Sequence, residues 1–367
     1  IGPSGSGKTS LIDCIGGRID PRKTKCQSFC INDHEVDLMK MGGFSAYVAQ
    51  NDLMTPILTV NENIEFSRKI RTLETDKNNE IIETCITGLG LNRCRNQFIG
   101  DERVRGISGG ERKRTAIGME LVVEPGILLL DEPTTGLDAN TAYKTIKILK
   151  QLAEENDKVI ILSIHQPRSA IWNLFDSVTV MDKGEIILKD SPSGLLKWCS
   201  DMGRPCDIFE NPADHIMDIV QNKWYFGYDT QTEKQNVFEK DSKIQPHPEN
   251  FRQKTSFYHQ FRGLCFREWK VFVRDPNALA QWMGSSVVMS IFFGWIFFRL
   301  DHDDCFAEDN KTILIPNQNR LGLFFFVMMN IWMSTVSLSD FFISQMAIFR
   351  RESNSKYYSA GPFFWSS

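Results

Sequence analysis

The residues with the clearest chemical purpose open the chain. Gly2-Pro3-Ser4-Gly5-Ser6-Gly7-Lys8-Thr9, followed by Ser10, matches G-x-x-x-x-G-K-[ST]. Glycines at those positions let successive backbone N–H groups curl around phosphate oxygens at a helix start. Lys8 would reach the β- and γ-phosphates, and the Thr9 hydroxyl would ligate Mg²⁺. An ordinary Gly/Ser turn could share the pattern, but the partners it needs lie downstream. Ile127–Leu130 is a run of four apolar residues ending in Asp131-Glu132. Such a run suits a strand buried on both faces of a parallel sheet. Its first carboxylate would hold Mg²⁺ through water, and Glu132 would polarise an attacking water.

A third motif narrows the reading. Ile107-Ser108-Gly109-Gly110-Glu111-Arg112 reads as a helix opening on small residues, whose N–H groups and positive dipole end can face an anion. A plain Ser N-cap would look the same, yet Gly110 falls 21 residues before Asp131.

These motifs need a scaffold. The apolar runs Ala46–Ala49, Ile127–Leu130 and Val159–Ile164 alternate with helical patterns at 10–19, Val60–Arg95 (broken at Gly88-Leu89-Gly90), 109–123 and Thr141–Glu155. Lys25–Ile31 reads as a further short strand. Alternation of this kind predicts an α/β domain with a parallel sheet and buried strands. Leu195–Met202 and Pro212–Val220 read as short closing helices, and 222–255 as a polar linker.

The remainder is different in kind. Residues 251–367 hold 18 of the 26 Phe, and the 23 residues Pro276–Phe298 carry no charge. As a helix that run would measure roughly 34 Å, enough for a ~30 Å hydrocarbon layer. Leu321–Ser339 adds 19 uncharged residues, and apolar character continues to Ile343. Two such runs predict membrane spans at about 276–298 and 321–343, with Trp282, Trp295 and Trp332 as interface candidates. Basic residues flank both ends (Arg262, Arg267, Lys270 and Arg274; Arg350, Arg351 and Lys356). Acidic residues dominate between the spans, which places 299–320 outside. That loop contains Cys305 and the sequon Asn310-Lys311-Thr312. Residues 256–274 read as an amphipathic helix on the cytoplasmic membrane surface. Its apolar side carries Phe257, Phe261 and Leu264, and Arg262, Arg267 and Lys270 lie elsewhere. A net charge of −4 gives no reason to expect nucleic acid. Nine scattered Cys include no C-x-x-C pair, and no His pair follows Cys26 and Cys30 at zinc-finger spacing, so zinc is not expected.

The order and wording of the motifs resemble the ATP-binding cassette proteins. Ser108-Gly109-Gly110-Glu111 resembles their signature, Gln50 their Q-loop, Thr135-Gly136-Leu137-Asp138 their D-loop, and His165 their switch histidine. Val104–Arg114, Asp131–Asp138, Ser163–Arg168 and Asn211-Pro212-Ala213-Asp214 narrow the resemblance to the G subfamily, the White, sterol and multidrug half-transporters. It implies an α/β P-loop cassette over 1–221, then a connecting helix and the start of an α-helical membrane domain over 275–367. Against complete members the chain reads as a fragment, lacking the cassette's first strands and four of six membrane helices.

The resemblance also implies roles. ATP and Mg²⁺ would be bound by residues 2–10, with Thr9, Gln50 and Asp131 at the metal. Glu132, His165 and Gln50 would be catalytic, Asp138 would belong to the D-loop, and Ser108–Glu111 would act across a dimer with a second half-transporter. The expected activity is ATP-driven export of a lipid, sterol, pigment precursor or drug-like substrate by a multi-pass protein of the plasma or an organelle membrane, its cassette cytosolic. Asn330, Met333, Ser334 and Val336 would line the substrate cavity. The subfamily's drug pumps carry Phe where Met333 stands, and Arg where Ser359 follows Tyr357-Tyr358. A soluble cassette ATPase and an ATP-switched membrane regulator are the rival readings.

Overall fold

The computed structural model describes residues 1–19, 29–31, 34–73, 77–101, 104–222, 255–296, 321–322, 324–329, 331–332 and 345–366. Three parallel strands form its centre: β3 (Ser45–Val48), β4 (Ile127–Leu130) and β5 (Val159–Leu162), in that spatial order. β4 lies between the other two and is buried along its length. Because side chains alternate across a strand, Leu128 and Leu130 enter the main core, while Ile127 and Leu129 join Ile12, Met41, Phe44 and Tyr47 on the opposite face. Helix α1 (Lys8–Ile15) covers that second face. Helices α2 (Val60–Arg71), α3 (Asn78–Gly88), α4 (Gly109–Leu121) and α5 (Ala139–Glu155) build the main core.

β5 departs from the sequence expectation of a strand buried on both faces. Val159 is exposed, and Ile160, Ile161 and Leu162 are half-buried. Among the described residues, β4 is its only ladder partner, so its other edge lacks the cover that a central strand receives. Of the expected strand at Lys25–Ile31, only 29–31 lie among the described residues, and Cys30–Ile31 (β1) pairs antiparallel with β2 (His34–Glu35).

Sequence reading also passed over an antiparallel hairpin, β6 (Val178–Asp182) with β7 (Glu185–Asp190). Its two-residue loop is Lys183-Gly184, with φ of 48° and 86°. Two positive φ values give the turn twist that suits a hairpin. Trp172, Val180 and Leu188 form a second core with α7 (Pro192–Asp201) and α8 (Pro212–Gln221), after the short helix α6 (Ser169–Trp172).

Beyond residue 254, helix α9 (Phe257–Arg274) packs on α2 and on α12 (Ala360–Ser366). Its buried side is Gln260, Leu264, Arg267 and Val271, whereas Phe257, Phe266, Trp269 and Val273 are exposed. The Arg267 guanidinium is buried because a buried carboxylate, Glu352, receives it. Leu264, Tyr357, Tyr358 and Phe363 belong to the same core as α2–α5. Helix α10 (Pro276–Ile296) leaves Val287, Val288, Met289, Ile291, Phe292 and Trp295 exposed. Helical residues 324–329 and 331–332 do the same with Phe324–Met329, Ile331 and Trp332. Among the described residues, no helix is both long and apolar enough to cross a membrane. Residues 223–254 of the expected linker 222–255, the loop with Cys305 and Asn310, and the cavity candidates Asn330, Met333, Ser334 and Val336 lie outside the described residues.

Candidate nucleotide site

The loop Gly2–Gly7 turns into α1 with Gly5 and Gly7 at φ of 79° and 95°. Both values are left-handed, where glycine carries no steric penalty. Gly7 is the N-cap residue of α1, and its carbonyl starts the helix ladder by accepting from Leu11 N. Lys8 is buried, and its Nζ donates to the carbonyls of Gly2 at 2.8 Å and Pro3 at 2.9 Å. Burial lowers the pKa of this ammonium, and the carboxylates Glu132 and Asp131 oppose the shift. Ser6 Oγ is buried without a hydrogen-bond partner. An unsatisfied hydroxyl in a loop of left-handed glycines fits a phosphate group, which would supply the missing acceptor.

Opposite the loop, Thr9 Oγ1 donates to both oxygens of Asp131, at 3.1 and 3.0 Å. Ser163 Oγ donates to Asp131 Oδ1 at 2.6 Å and accepts from Glu132 N at 2.9 Å. A carboxylate and a hydroxyl side by side form a hard oxygen set of the kind Mg²⁺ takes with phosphates. Glu132 has φ of 49°, and its carboxylate turns toward three groups. Gln50 Nε2 donates to Oε2 at 2.7 Å, His165 Nε2 lies 2.7 Å from Oε1, and Thr135 Oγ1 donates to Oε2 at 3.0 Å. The structure therefore joins Thr9 with Asp131, and Gln50 and His165 with Glu132. Gln50 is not brought onto the Thr9–Asp131 pair.

Ser108 caps α4 in a capping box. Its Oγ accepts from Glu111 N at 3.4 Å, and its backbone N–H donates to Glu111 Oε2 at 2.9 Å. Ser108 and Gly109 are exposed, while Gly110 is buried where a Cβ would lie 2.2 Å from Thr141 Cγ2. Asp138 N-caps α5, accepting from the N–H groups of Asn140 and Thr141 at 3.0 and 3.1 Å. Hydrogen bonds from Thr141 and the cap backbone hold its carboxyl below the usual range. Ser108, Gly109 and Asp138 thus sit exposed at adjoining helix starts.

Two positions that sequence reading left without a role complete the frame. Lys113, buried on α4, donates to Gln50 O at 2.9 Å and pairs with Asp52 at 2.8 Å, fixing the Gln50 loop to the signature helix. No local signal in the sequence marks it, because its partner Asp52 lies 61 residues away. Asn211, the N-cap residue of α8, donates to Pro167 O at 3.0 Å, two residues past His165.

A buried polar junction ties this frame to α9, α12 and the helical residues 345–354, designated α11. Arg71 of α2 meets Glu120 of α4 at 2.8 Å, and Tyr357 Oη donates to Glu120 at 2.6 Å. Arg267 of α9 forks onto Glu352 of α11 at 2.9 and 2.7 Å, and Tyr358 Oη donates to the same carboxylate. Arg351 Nη1 donates to the carbonyl of Leu53, three residues beyond Gln50.

A phosphate-binding loop, an Asp-Glu strand end and a glycine signature on one α/β frame define an ATP-binding cassette. Residues 1–135 match the ABC transporter family model, and residues 259–367 match that of the ABC-2 type transporters. The broad substrate specificity ATP-binding cassette transporters ABCG2 of Rattus norvegicus and Mus musculus are each 33% identical over 100% of this chain and 60% of their own length. ABC transporter G family member 14 of Arabidopsis thaliana is 39% identical over 60% of this chain and 34% of its own. Among solved structures, cbiO1 from Clostridium perfringens aligns with a TM-score of 0.47 at 24% identity, covering 55% of this chain and 80% of that one. The chain belongs to the ATP-binding cassette transporters and, within them, to the G subfamily of half-transporters. It spans about 60% of the length of the rodent relatives.

Proposed function

We propose that the chain is the cassette and leading membrane portion of an ATP-driven exporter that works as a dimer of half-transporters. The observation that carries this reading is the path from Glu132 to the membrane-proximal helices. Gln50 holds the Glu132 carboxylate, and three residues later Leu53 is held by Arg351 of α11. A change at the nucleotide would thereby reach α11, and through Glu352 and Arg267 would reach α9.

Lys8 and the N–H groups of residues 2–10 would bind the phosphates of ATP. Thr9 and Asp131 would hold Mg²⁺, with the Gln50 side-chain carbonyl completing the set in the closed dimer. When bound, the metal neutralises phosphate charge. Glu132 would take a proton from the attacking water, and His165, already at its carboxylate, would steady that carboxylate and face the γ-phosphate. Ser108–Glu111, with Ser108 and Gly109 exposed at the start of α4, would complete the site of a second chain, with Asp138 exposed beside them. The apolar surfaces of α10 and of residues 324–329 and 331–332 suit lipid contact, supporting spans at about 276–298 and 321–343. Exposed Phe266, Trp269 and Val273 suit a helix α9 lying along the membrane surface. The substrate class that fits such an exporter is hydrophobic or amphipathic.

The test is ATP-dependent uptake of a fluorescent phospholipid or amphipathic dye into inside-out vesicles holding the full-length protein. Uptake lost in Glu132→Gln supports the reading. Uptake that is absent, or that is unchanged in that variant, overturns it.

A further inference from the structure

Away from the nucleotide site, the loop between α7 and α8 gathers three side chains that ligate metals. Cys206 Sγ, a carboxylate oxygen of Glu210 and a ring nitrogen of His215 all lie within 4.8 Å of one another. All three are half-buried, and they come from a stretch of ten residues that the local fold sets in place. Glu210 precedes the N-cap residue Asn211, and His215 sits in the first turn of α8, where its N–H donates to Asn211 O.

The histidine carries the argument. Its Nε2 lies 3.0 Å from the carbonyl oxygen of Arg204. A carbonyl only accepts, so Nε2 bears the hydrogen. Nδ1 then faces Glu210 Oε2 at 2.7 Å. In the neutral ring Nδ1 presents a lone pair, and a carboxylate oxygen presents another. At 2.7 Å the two share a proton, which a metal ion would displace as the ligand atoms spread to about 3.3 Å in a tetrahedral shell. Cys206, whose thiol donates to Asp207 O at 3.6 Å, has its sulfur within 4.8 Å of both atoms. A metal ion employs all three ligand atoms. The Nε2–H bond to a backbone carbonyl is the outer contact that metal-bound histidines commonly make, since it fixes the tautomer and aims Nδ1 at the metal.

The geometry points to a zinc site at Cys206, Glu210 and His215. One thiolate, one imidazole and one carboxylate make a mixed soft and hard set that suits Zn²⁺ better than Mg²⁺ or Ca²⁺, which prefer oxygen alone. Three protein ligands leave a fourth, tetrahedral position for water. Burial together with Glu210 and Asp207 raises the Cys206 thiol pKa. Binding therefore releases a proton from Cys206 to solvent as the thiolate–metal bond forms. This site is separate from the zinc-finger spacing that Cys26 and Cys30 fail to meet. Its position gives it a structural consequence. Glu210 adjoins Asn211, which holds Pro167 in the loop after His165, so the metal would pin that loop.

Cobalt is the probe. The full-length protein, purified in detergent, is stripped with chelator, freed of it and titrated with Co²⁺ without nucleotide. The expected result is one equivalent bound per chain, with a thiolate-to-cobalt charge-transfer band, intense four-coordinate visible bands, and bleaching by added Zn²⁺. Cys206→Ser and His215→Ala should each abolish the charge-transfer band and weaken binding at least tenfold. Both should still bind ATP. Cys30→Ser, which removes an exposed thiol elsewhere, should keep the full spectrum. A wild-type protein that binds ATP yet shows no charge-transfer band overturns the proposal. So does a band that survives in Cys206→Ser.

Discussion

Gln50 and Glu132 lie 82 residues apart in the chain and meet through a 2.7 Å hydrogen bond. Each stands at the end of a central strand. β3 and β4 run parallel with Val48 opposite Leu130, so the residues two places beyond each partner emerge at the same sheet end. Ligand sites of parallel sheets collect outside those carboxyl ends. The register of two buried strands thus delivers an amide to a carboxylate.

That relationship sets the first prediction. Glu132→Gln keeps the size of the side chain and removes the base. General-base catalysis contributes about 10²–10⁴-fold, so ATP turnover by the full-length protein should fall by about that factor. ATP affinity should stay within a few-fold, because Lys8 and the glycine loop are untouched. Steady-state phosphate release and binding of labelled ATP check both halves. Turnover that is unchanged would remove Glu132 from the role of base.

Gly110 gives a prediction about packing. An added Cβ would lie 2.2 Å from Thr141 Cγ2, so Gly110→Ala should push α4 away from α5. Overpacking of this kind costs about 1–3 kcal/mol, read as a lower unfolding temperature. Thr141→Ser deletes the offending methyl and keeps the hydroxyl. The double variant should recover most of the loss, a coupling that a double-mutant cycle measures directly.

The site and its supports differ in how far the sequence disclosed them. Glycine spacing marks residues 2–9 because only glycine tolerates those φ values, and an apolar run ending in two acids marks Asp131 and Glu132. Such motifs are local, and local chemistry is legible. Lys113 and Arg267 were not legible, because a cation is read as surface until its buried partner is known. Those partners, Asp52 and Glu352, lie 61 and 85 residues away. The hairpin β6–β7 was legible in principle from Lys183-Gly184 between two alternating runs. The half-exposure of β5 was not, since an apolar run carries no mark of its neighbours.

Arg267 and Glu352 are both almost fully buried, with side-chain exposures of 1% and 2%. Removing one partner leaves a buried charge, which costs about 3–5 kcal/mol. Arg267→Met should therefore destabilise the α9–α11 contact strongly. Arg267→Met with Glu352→Leu should cost less, since the most buried carboxylate is removed with its partner and only Glu268, 3.1 Å from Arg267 and less buried, loses its cation. Thermal unfolding of the single and double variants decides between this and simple loss of volume, in which the double variant would be the worse of the two.

Glu62 supplies the pH dependence of the same junction. Burial alone would raise its pKa. The hydrogen bonds from Arg274, Thr59 N and Lys270 outweigh burial and bring it from 4.5 down to about 2. Arg274 approaches at 2.6 and 2.9 Å, and Lys270 at 3.1 Å. A depressed carboxylate pKa means that the unfolded chain binds more protons than the folded one between those two values. Stability then rises with pH across that window. The contribution is complete above pH 4.5 and is lost as pH falls toward about 2. Its cations are part-exposed and screened, so it should amount to about 1 kcal/mol. Glu62→Gln leaves an amide oxygen for the Thr59 cap and removes the charge. Unfolding temperatures of the wild type and this variant should differ most above pH 5 and converge as the pH approaches 2 to 3. A constant difference across that range would show that Arg274 and Lys270 do not act through the Glu62 charge.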